Sequence, residues 1–193
     1  MVKKLYDYLV FQFKKYIFST KIVIEAEREI AKEIKITQPR IPISIEKFEK
    51  KHIDMLRNKL SERKIRIFES RMNDNFDGTV LLSENNEVAA FGWTTFIDDI
   101  DPNTGVVLKA GEKEAVFIDD FTFPEFRGNR LQTYTSNIKL QKLQDMNYKI
   151  CRLAYLQDNI YSRKALLNNG FIETYKWKII RIAGINFKRR VKI

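Results

Sequence analysis

One cysteine and one histidine in 193 residues leave little for several kinds of chemistry. With Cys151 alone, no internal disulfide can form and no cysteine cluster can hold a metal. A single imidazole and a single thiol also remove the usual zinc donor sets and the expectation of a Ser-His-Asp triad. Acid–base work must then come from carboxylates, tyrosines, lysines or water. Long apolar runs are missing too. In the opening stretch MVKKLYDYLVFQFKKYIFST the longest is Tyr8 to Phe11, too short for a signal core or a spanning helix. There is no repeat and no low-complexity tract. The one histidine, His52, sits in the polar helical context EKKHIDML and reads as a surface residue.

What is present fits a globular protein: 44% hydrophobic and 31% charged residues, in a length that suits one domain with a sizeable core. The net charge of +10 favours an anionic partner, and it is concentrated at the ends. From Lys176 on there are seven Lys or Arg and no acid, and the first twenty-one residues carry five lysines against one Asp. On a helical wheel Lys3, Lys4, Asp7, Lys14 and Lys15 fall on one side, with Leu5, Leu9, Phe13, Tyr16 and Ile17 on the other. That pattern predicts a basic amphipathic helix, able to lie on an anionic bilayer or to pack on its own domain or on a dimer mate.

Pro39 and Pro42 in ITQPRIPIS mark a boundary, giving a helical extension over 1–40 and a main domain over 41–193. PISIEKF reads as a short strand, followed by helices over 50–59 and 62–73. TVLLS, ENNE and VAAFGWTTFI form a hairpin on an Asn-Asn turn. After the polar loop DDIDPNTG, the strand EAVFIDDFTF is interrupted by two aspartates. Leu131 to Met146 is helical, KICRLAYL is a strand, and NIYSRKALLNNG is a short helix that Gly170 can cap. FIETYKWKIIRI closes the pattern with one or two strands, and KRRVK reads as a solvated basic tail. Trp93 and Phe96 are expected in the core, as is Cys151. The interleaved order is mixed α/β.

Between the aspartate-bearing strand and the long helix lies TFPEFRGNRL. The first amides of that helix lack intrahelical acceptors and carry the positive end of its dipole. Gly128 allows close backbone approach, successive amides can form an anion nest, and Arg127 and Arg130 add charge. A pyrophosphate suits such a turn.

About thirty residues further on comes AYLQDNIYSRKALLNNGF. This pairing resembles the GCN5-related N-acetyltransferase (GNAT) superfamily across residues 41 to 183. The matching positions are Pro124, Arg127 and Gly128, then Asn159, Ser162, Gly170 and Phe171. Thr122 to Gly128 also matches the T-x-P-x-x-R-G form of members that act on amino sugars or cell-surface precursors. The resemblance implies a mixed, mostly antiparallel central sheet with flanking helices and a splayed central strand at the cofactor site. It implies that the amides of Arg127, Gly128, Asn129, Arg130, Leu131 and Gln132 hold the pyrophosphate of acetyl-coenzyme A or another acyl-coenzyme A. Phe121, Thr122 and Phe123 would pair with the pantetheine arm, and Asn159 and Ser162 would contact the donor near its thioester. Arg130 and Gln132 stand where the family has small residues, and Leu166 stands where it often has a tyrosine acid.

The implied activity is transfer of an acetyl or other acyl group to a primary amine of a small molecule, without a metal. Asp119 and Asp120 are the candidate bases, and adjacent strand residues face opposite ways. Asp119 is preferred because related members carry a carboxylate at that distance before the proline. Tyr134, Tyr155 and Tyr161 are candidates to replace the missing acid; otherwise solvent protonates the thiolate. Two other readings are an aminoacyl-tRNA-dependent transferase of the same type, and a non-catalytic GNAT-fold module on membrane or nucleic acid. Under the main reading nucleic acid is not expected as a partner. The setting expected is the cytoplasm, with residues 1–21 offering a contact to the inner membrane face and a homodimer as a further option.

Overall fold

The computed structural model describes residues 18–30 and 33–193. Eight strands form one sheet in the order β10-β9-β1-β8-β7-β4-β3-β2. These are β1 (Phe18–Glu29), β2 (Ile43–Lys47), β3 (Phe76–Ser83), β4 (Val88–Thr95), β7 (Glu114–Thr122), β8 (Ile150–Leu156), β9 (Ile172–Ile182) and β10 (Ile185–Lys192). Short strands β5 (Asp99–Ile100) and β6 (Val107–Leu108) pair separately. Within the large sheet every pairing is antiparallel except β7 with β8. Helices α1 (Lys50–Leu56) and α2 (Glu62–Ser70) cover one face; α3 (Leu131–Asp145) and α4 (Ile160–Asn168) cover the other.

Alternation sets the two cores. In β7, Val116 and Ile118 join Ile53, Leu56, Ile65 and Phe68 of α1 and α2, while Ala115 and Phe117 join Leu140, Leu143 and Leu166 of α3 and α4. Every residue of β4 is buried, as a strand covered on both faces must be, which explains its continuous apolar run. Trp93 and Cys151 lie in the core as expected, and Phe96 packs half-buried on Tyr148. Ser61 caps α2 by accepting from the Lys64 amide at 3.3 Å.

Four expectations change. Within the helical extension expected over 1–40, Phe18–Glu29 is instead an interior strand, paired with β8 on one side and β9 on the other. Phe18 to Lys21 are therefore strand, and the helix and membrane contact expected for the residues before them lie outside the described residues. Glu25, on this strand, is buried because Trp177 Nε1 donates to it at 3.0 Å and Arg190 Nη2 at 2.8 Å. The basic tail is solvated, as expected, but it is a strand: it belongs to the exposed edge strand β10. His52 is fully buried, its ring 5.5 Å from that of Phe48. Its Nδ1 accepts from the Glu49 amide at 2.9 Å, so its proton sits on Nε2, facing Glu46 Oε2 at 3.2 Å. Burial lowers the His52 pKa, with the Glu46 hydrogen bond opposing.

Candidate functional site

The parallel strands β7 and β8 pair only from Glu114↔Ile150 to Phe117↔Leu153 and then separate. The cause lies in β7. Trp93 of β4 faces Ile118 and Phe91 faces Phe121, so Gly92 alone opposes both Asp119 and Asp120. This is a β-bulge, and such an extra residue bends its strand. Asp119 carries it at φ +60, a left-handed conformation that aspartate tolerates better than most residues.

The bulge sets the two carboxylates on opposite faces. Asp119 points to the α2 side, like Ile118 before it. One of its oxygens accepts from Lys64 and the other from Arg71 Nη1 at 2.9 Å. Arg71 is itself buried over the rings of Trp93 and Phe76, at 5.6 and 5.7 Å from their centroids. Asp120 points to the α3 side and binds the fully buried ammonium of Lys139. That ammonium also donates to Trp93 O at 3.3 Å and lies 3.8 Å from the Phe117 ring centroid. A Cβ at Gly92 would collide with the Asp120 carboxylate, so glycine there makes room for the pair. Burial pushes the Asp120 carboxyl up, with the charge of Lys139 opposing.

Past the bulge, the Phe123 amide donates to Ala89 O at 3.0 Å, on the β4 side. Peptide groups alternate sides along a strand, so those of Phe121 and Phe123 serve β4 and those of Asp120 and Thr122 face the opening toward β8. The expected pairing edge thus runs through Thr122 rather than through its phenylalanine neighbours. Thr122 O accepts from Arg127 Nε at 3.3 Å.

The chain then turns through a short 3₁₀ segment, Pro124–Phe126. Gly128 has φ +81 and Arg130, the residue before α3, φ +62. At Gly128 an added Cβ would meet nothing within 4 Å, so glycine serves the backbone conformation and not a close contact. The first amide bond into α3 among the described residues runs from Tyr134 N to Arg130 O at 3.0 Å. Among the described residues, the six successive amides from Gly128 to Thr133 reach no acceptor. The turn is held from behind: Arg40 N donates to Asn129 O at 3.1 Å and Asn129 Nδ2 to Phe126 O at 3.1 Å. Arg127, Gly128 and Arg130 are exposed, while Leu131 anchors the helix in the core.

On the opposite wall, Asn159 caps α4, its Oδ1 accepting from the Ser162 amide at 3.1 Å. Gln132 Nε2 donates to Ser162 Oγ at 3.2 Å, tying the starts of α3 and α4 together across the end of the opening. This brings Ser162, and Asn159 that caps its helix, next to the start of α3; both are expected near the thioester of the donor. The tyrosines are less well placed. Tyr155 points into the α3/α4 core, its hydroxyl bound to Glu173 and its pKa pushed up by burial; Tyr161 is 81% exposed, and Tyr134 packs half-buried against the smaller core around Leu131. Leu166 is buried. Sequence reasoning missed Lys64, Arg71 and Lys139. The spacing of Lys64 and Arg71, two helical turns apart, was the available signal that both share a face.

A sheet of this order, splayed at its one parallel pair beside an amide-lined turn, is the GNAT fold. The sequence matches no protein-family model and no curated protein, but solved structures of this fold superpose on it. A GCN5-related N-acetyltransferase from Sphaerobacter thermophilus has a TM-score of 0.63 at 6% identity, covering 96% of this chain and 56% of its own. The ribosomal-protein-S18-alanine N-acetyltransferase of Escherichia coli gives 0.56 at 12%, covering 75% and 96%. AAC(6′)-Iy, in complex with the bisubstrate analogue CoA-S-monomethyl-acetylneamine, gives 0.53 at 13%, covering 68% and 92%. Several of the matching chains are longer: this chain spans 55%, 66% and 56% of three of them.

Proposed function

We propose that the chain is an acyl-coenzyme-A-dependent N-acyltransferase, moving an acetyl or related acyl group to the primary amine of a small molecule such as an amino sugar. The observation that carries this is the run of unengaged amides from Gly128 to Thr133 at the mouth of the β7/β8 opening. Six donors in succession, two of their residues in left-handed conformation, make a nest for a diphosphate. The outward peptide groups of Asp120 and Thr122 offer a strand edge to a peptide-like arm, and Arg127, now resting on Thr122 O, moves aside to admit it.

When bound, the thioester supplies an electrophilic carbonyl and a thiolate leaving group. An outward amide of β7 polarises that carbonyl. Asp119, on the α2 face of the bulge, takes the proton that the attacking ammonium must lose, with the partly exposed Lys64 giving way and Arg71 staying in place. The C–N bond forms as the C–S bond breaks, the nitrogen then loses its second proton to solvent, and the thiolate takes a proton from solvent, since Leu166 has none to give and Tyr155 is bound to Glu173.

The test is thiol release from acetyl-coenzyme A across a panel of amines. Release that requires both protein and amine, in step with acetylated product, is expected. Tight acetyl-coenzyme A binding with no release for any amine would leave a binding module instead.

A further inference from the structure

A cavity of about 330 Å³ lies on the α1/α2 face of the sheet, where β1, β9 and β10 meet the loop between β5 and β6. Three of its lining side chains are cationic: Lys21 of β1, Arg181 of β9 and Lys188 of β10. Alternation puts all three on one face, since Lys21 aligns with core residue Val23, Arg181 with core residue Ile179, and Lys188 is paired with Ile179. Lys188 Nζ donates to Gly105 O at 2.7 Å, and Lys21 Nζ lies 3.7 Å from where a Cβ of Gly105 would be, so two ammonium groups converge on that glycine. Among the described residues, no carboxylate comes within 4.0 Å of Lys21, Arg181 or Lys188. Ser19 and Asn186 add uncharged hydrogen-bonding groups to the wall.

The cavity also lies toward the reacting end of the sheet. Val23 pairs with Leu156, the last residue of β8, so Lys21 stands just past the end of β8, on the side to which β7 and β8 diverge. Asp101, buried in the covering loop and tied to the Thr104 amide at 3.0 Å, interacts electrostatically with both Lys21 and Asp119. The cationic wall and the bulge carboxylate thus share one face of the sheet.

We propose that this cavity receives an oxyanion carried by the acyl acceptor, so that the preferred acceptor is an amine bearing a phosphate or carboxylate. The inference rests on the acyltransferase reading for the amine, and on the cavity alone for the anion. A polycationic amine, such as an aminoglycoside, would be repelled by the same wall. An anion on Lys21 and Arg181 makes charge-assisted hydrogen bonds that a neutral analogue cannot.

The test has a binding arm and a kinetic arm. In the first, inorganic phosphate is titrated into full-length protein saturated with coenzyme A, which keeps the turn occupied, and backbone amide NMR shifts are followed. Saturable shifts at Thr20, Gly105 and Asn186, lost in Lys21→Ala/Arg181→Ala, are expected. Their absence in the wild type, or their persistence in the double variant, overturns the proposal. In the second arm, matched amines with phosphate, carboxylate or neither are compared with acetyl-coenzyme A as donor. One anionic member should exceed the neutral one in kcat/KM by ~10-fold or more, and the double variant should erase the gap. Which anion wins identifies its source, and equal rates for all three overturn the proposal. If coenzyme A does not bind, the phosphate titration without it still judges the cavity while the acyltransferase reading falls. If coenzyme A binds and phosphate does not, only the cavity proposal falls.

Discussion

Asp119 and Asp120 are neighbours on one strand, both bound to cations, yet their surroundings differ in kind. Asp120 is matched to a single ammonium, Lys139, with no exposed side-chain surface and with Gly92 cut back to make room. Lys139 is sealed under α3, while the Asp120 side chain stays 15% exposed. Asp119 shares its charge between the buried Arg71 and Lys64, whose side chain is 21% exposed. One partner is fixed and the other can leave. Identical side chains one residue apart can therefore serve different ends: the pair with the buried lysine holds β4, β7 and α3 together, and the one with the partly exposed lysine lies on the side from which an acceptor would come.

The sharpest way to break this contrast is Asp119→Asn. If Asp119 takes the proton, turnover should fall by ~10²–10⁴-fold while acetyl-coenzyme A affinity stays nearly the same, as read by steady-state kinetics beside calorimetry. Near-normal turnover would reduce Asp119 to a structural pin of the bulge. Next in size is the effect of Lys139→Met, which leaves Asp120 buried without its cation and should cost about 3–5 kcal/mol in urea unfolding. The double change Lys139→Met/Asp120→Asn should recover much of that loss. A strictly additive double variant would mean that the two groups do not act as a pair.

These pairs also show why some of the molecule could be read from sequence and some could not. The turn was legible because a glycine before a helix start is a local signal, although Arg40 braces the turn from far along the chain. The hairpin of β3 and β4 was legible for the same reason. β1 was not, because Glu25, Glu27 and Arg28 interrupt its apolar pattern; Glu25 is satisfied by Trp177 and Arg190, 152 and 165 residues away. α3 was legible as a helix, but its buried Thr135, Ser136, Asn137 and Lys139 hid from the sequence that it is covered on most sides. The two aspartates predicted opposite faces by simple pleating. The structure reaches that result through a bulge, which no local pattern announces.

His52 gives the smallest expected effect, and a pH-dependent one. Its Nδ1 accepts a backbone hydrogen bond, so protonation would set N–H against N–H. With the folded pKa lowered below the ordinary 6.5, the unfolded chain binds the proton more readily. Stability is therefore full above that value and declines as pH falls below it, by at most about 1.4 kcal/mol per pH unit. Unfolding curves of the wild type and His52→Gln should converge as pH drops from 7 toward 5. A constant gap across that window would show that His52 does not titrate differently on folding.

The central claim, that the amides after β7 hold the diphosphate of an acyl-coenzyme A, is tested most directly by calorimetric titration of acetyl-coenzyme A into the wild type, Gly128→Val and Arg130→Ala. Valine cannot adopt φ +81 without strain and would turn the nest aside, whereas truncating the Arg130 side chain leaves every amide in place. The account predicts saturable binding by the wild type, a larger loss in Gly128→Val than in Arg130→Ala, and cooperative unfolding in both variants, with the midpoint lowered only in Gly128→Val. Unchanged affinity in a folded Gly128→Val, or a loss confined to Arg130→Ala, would contradict it.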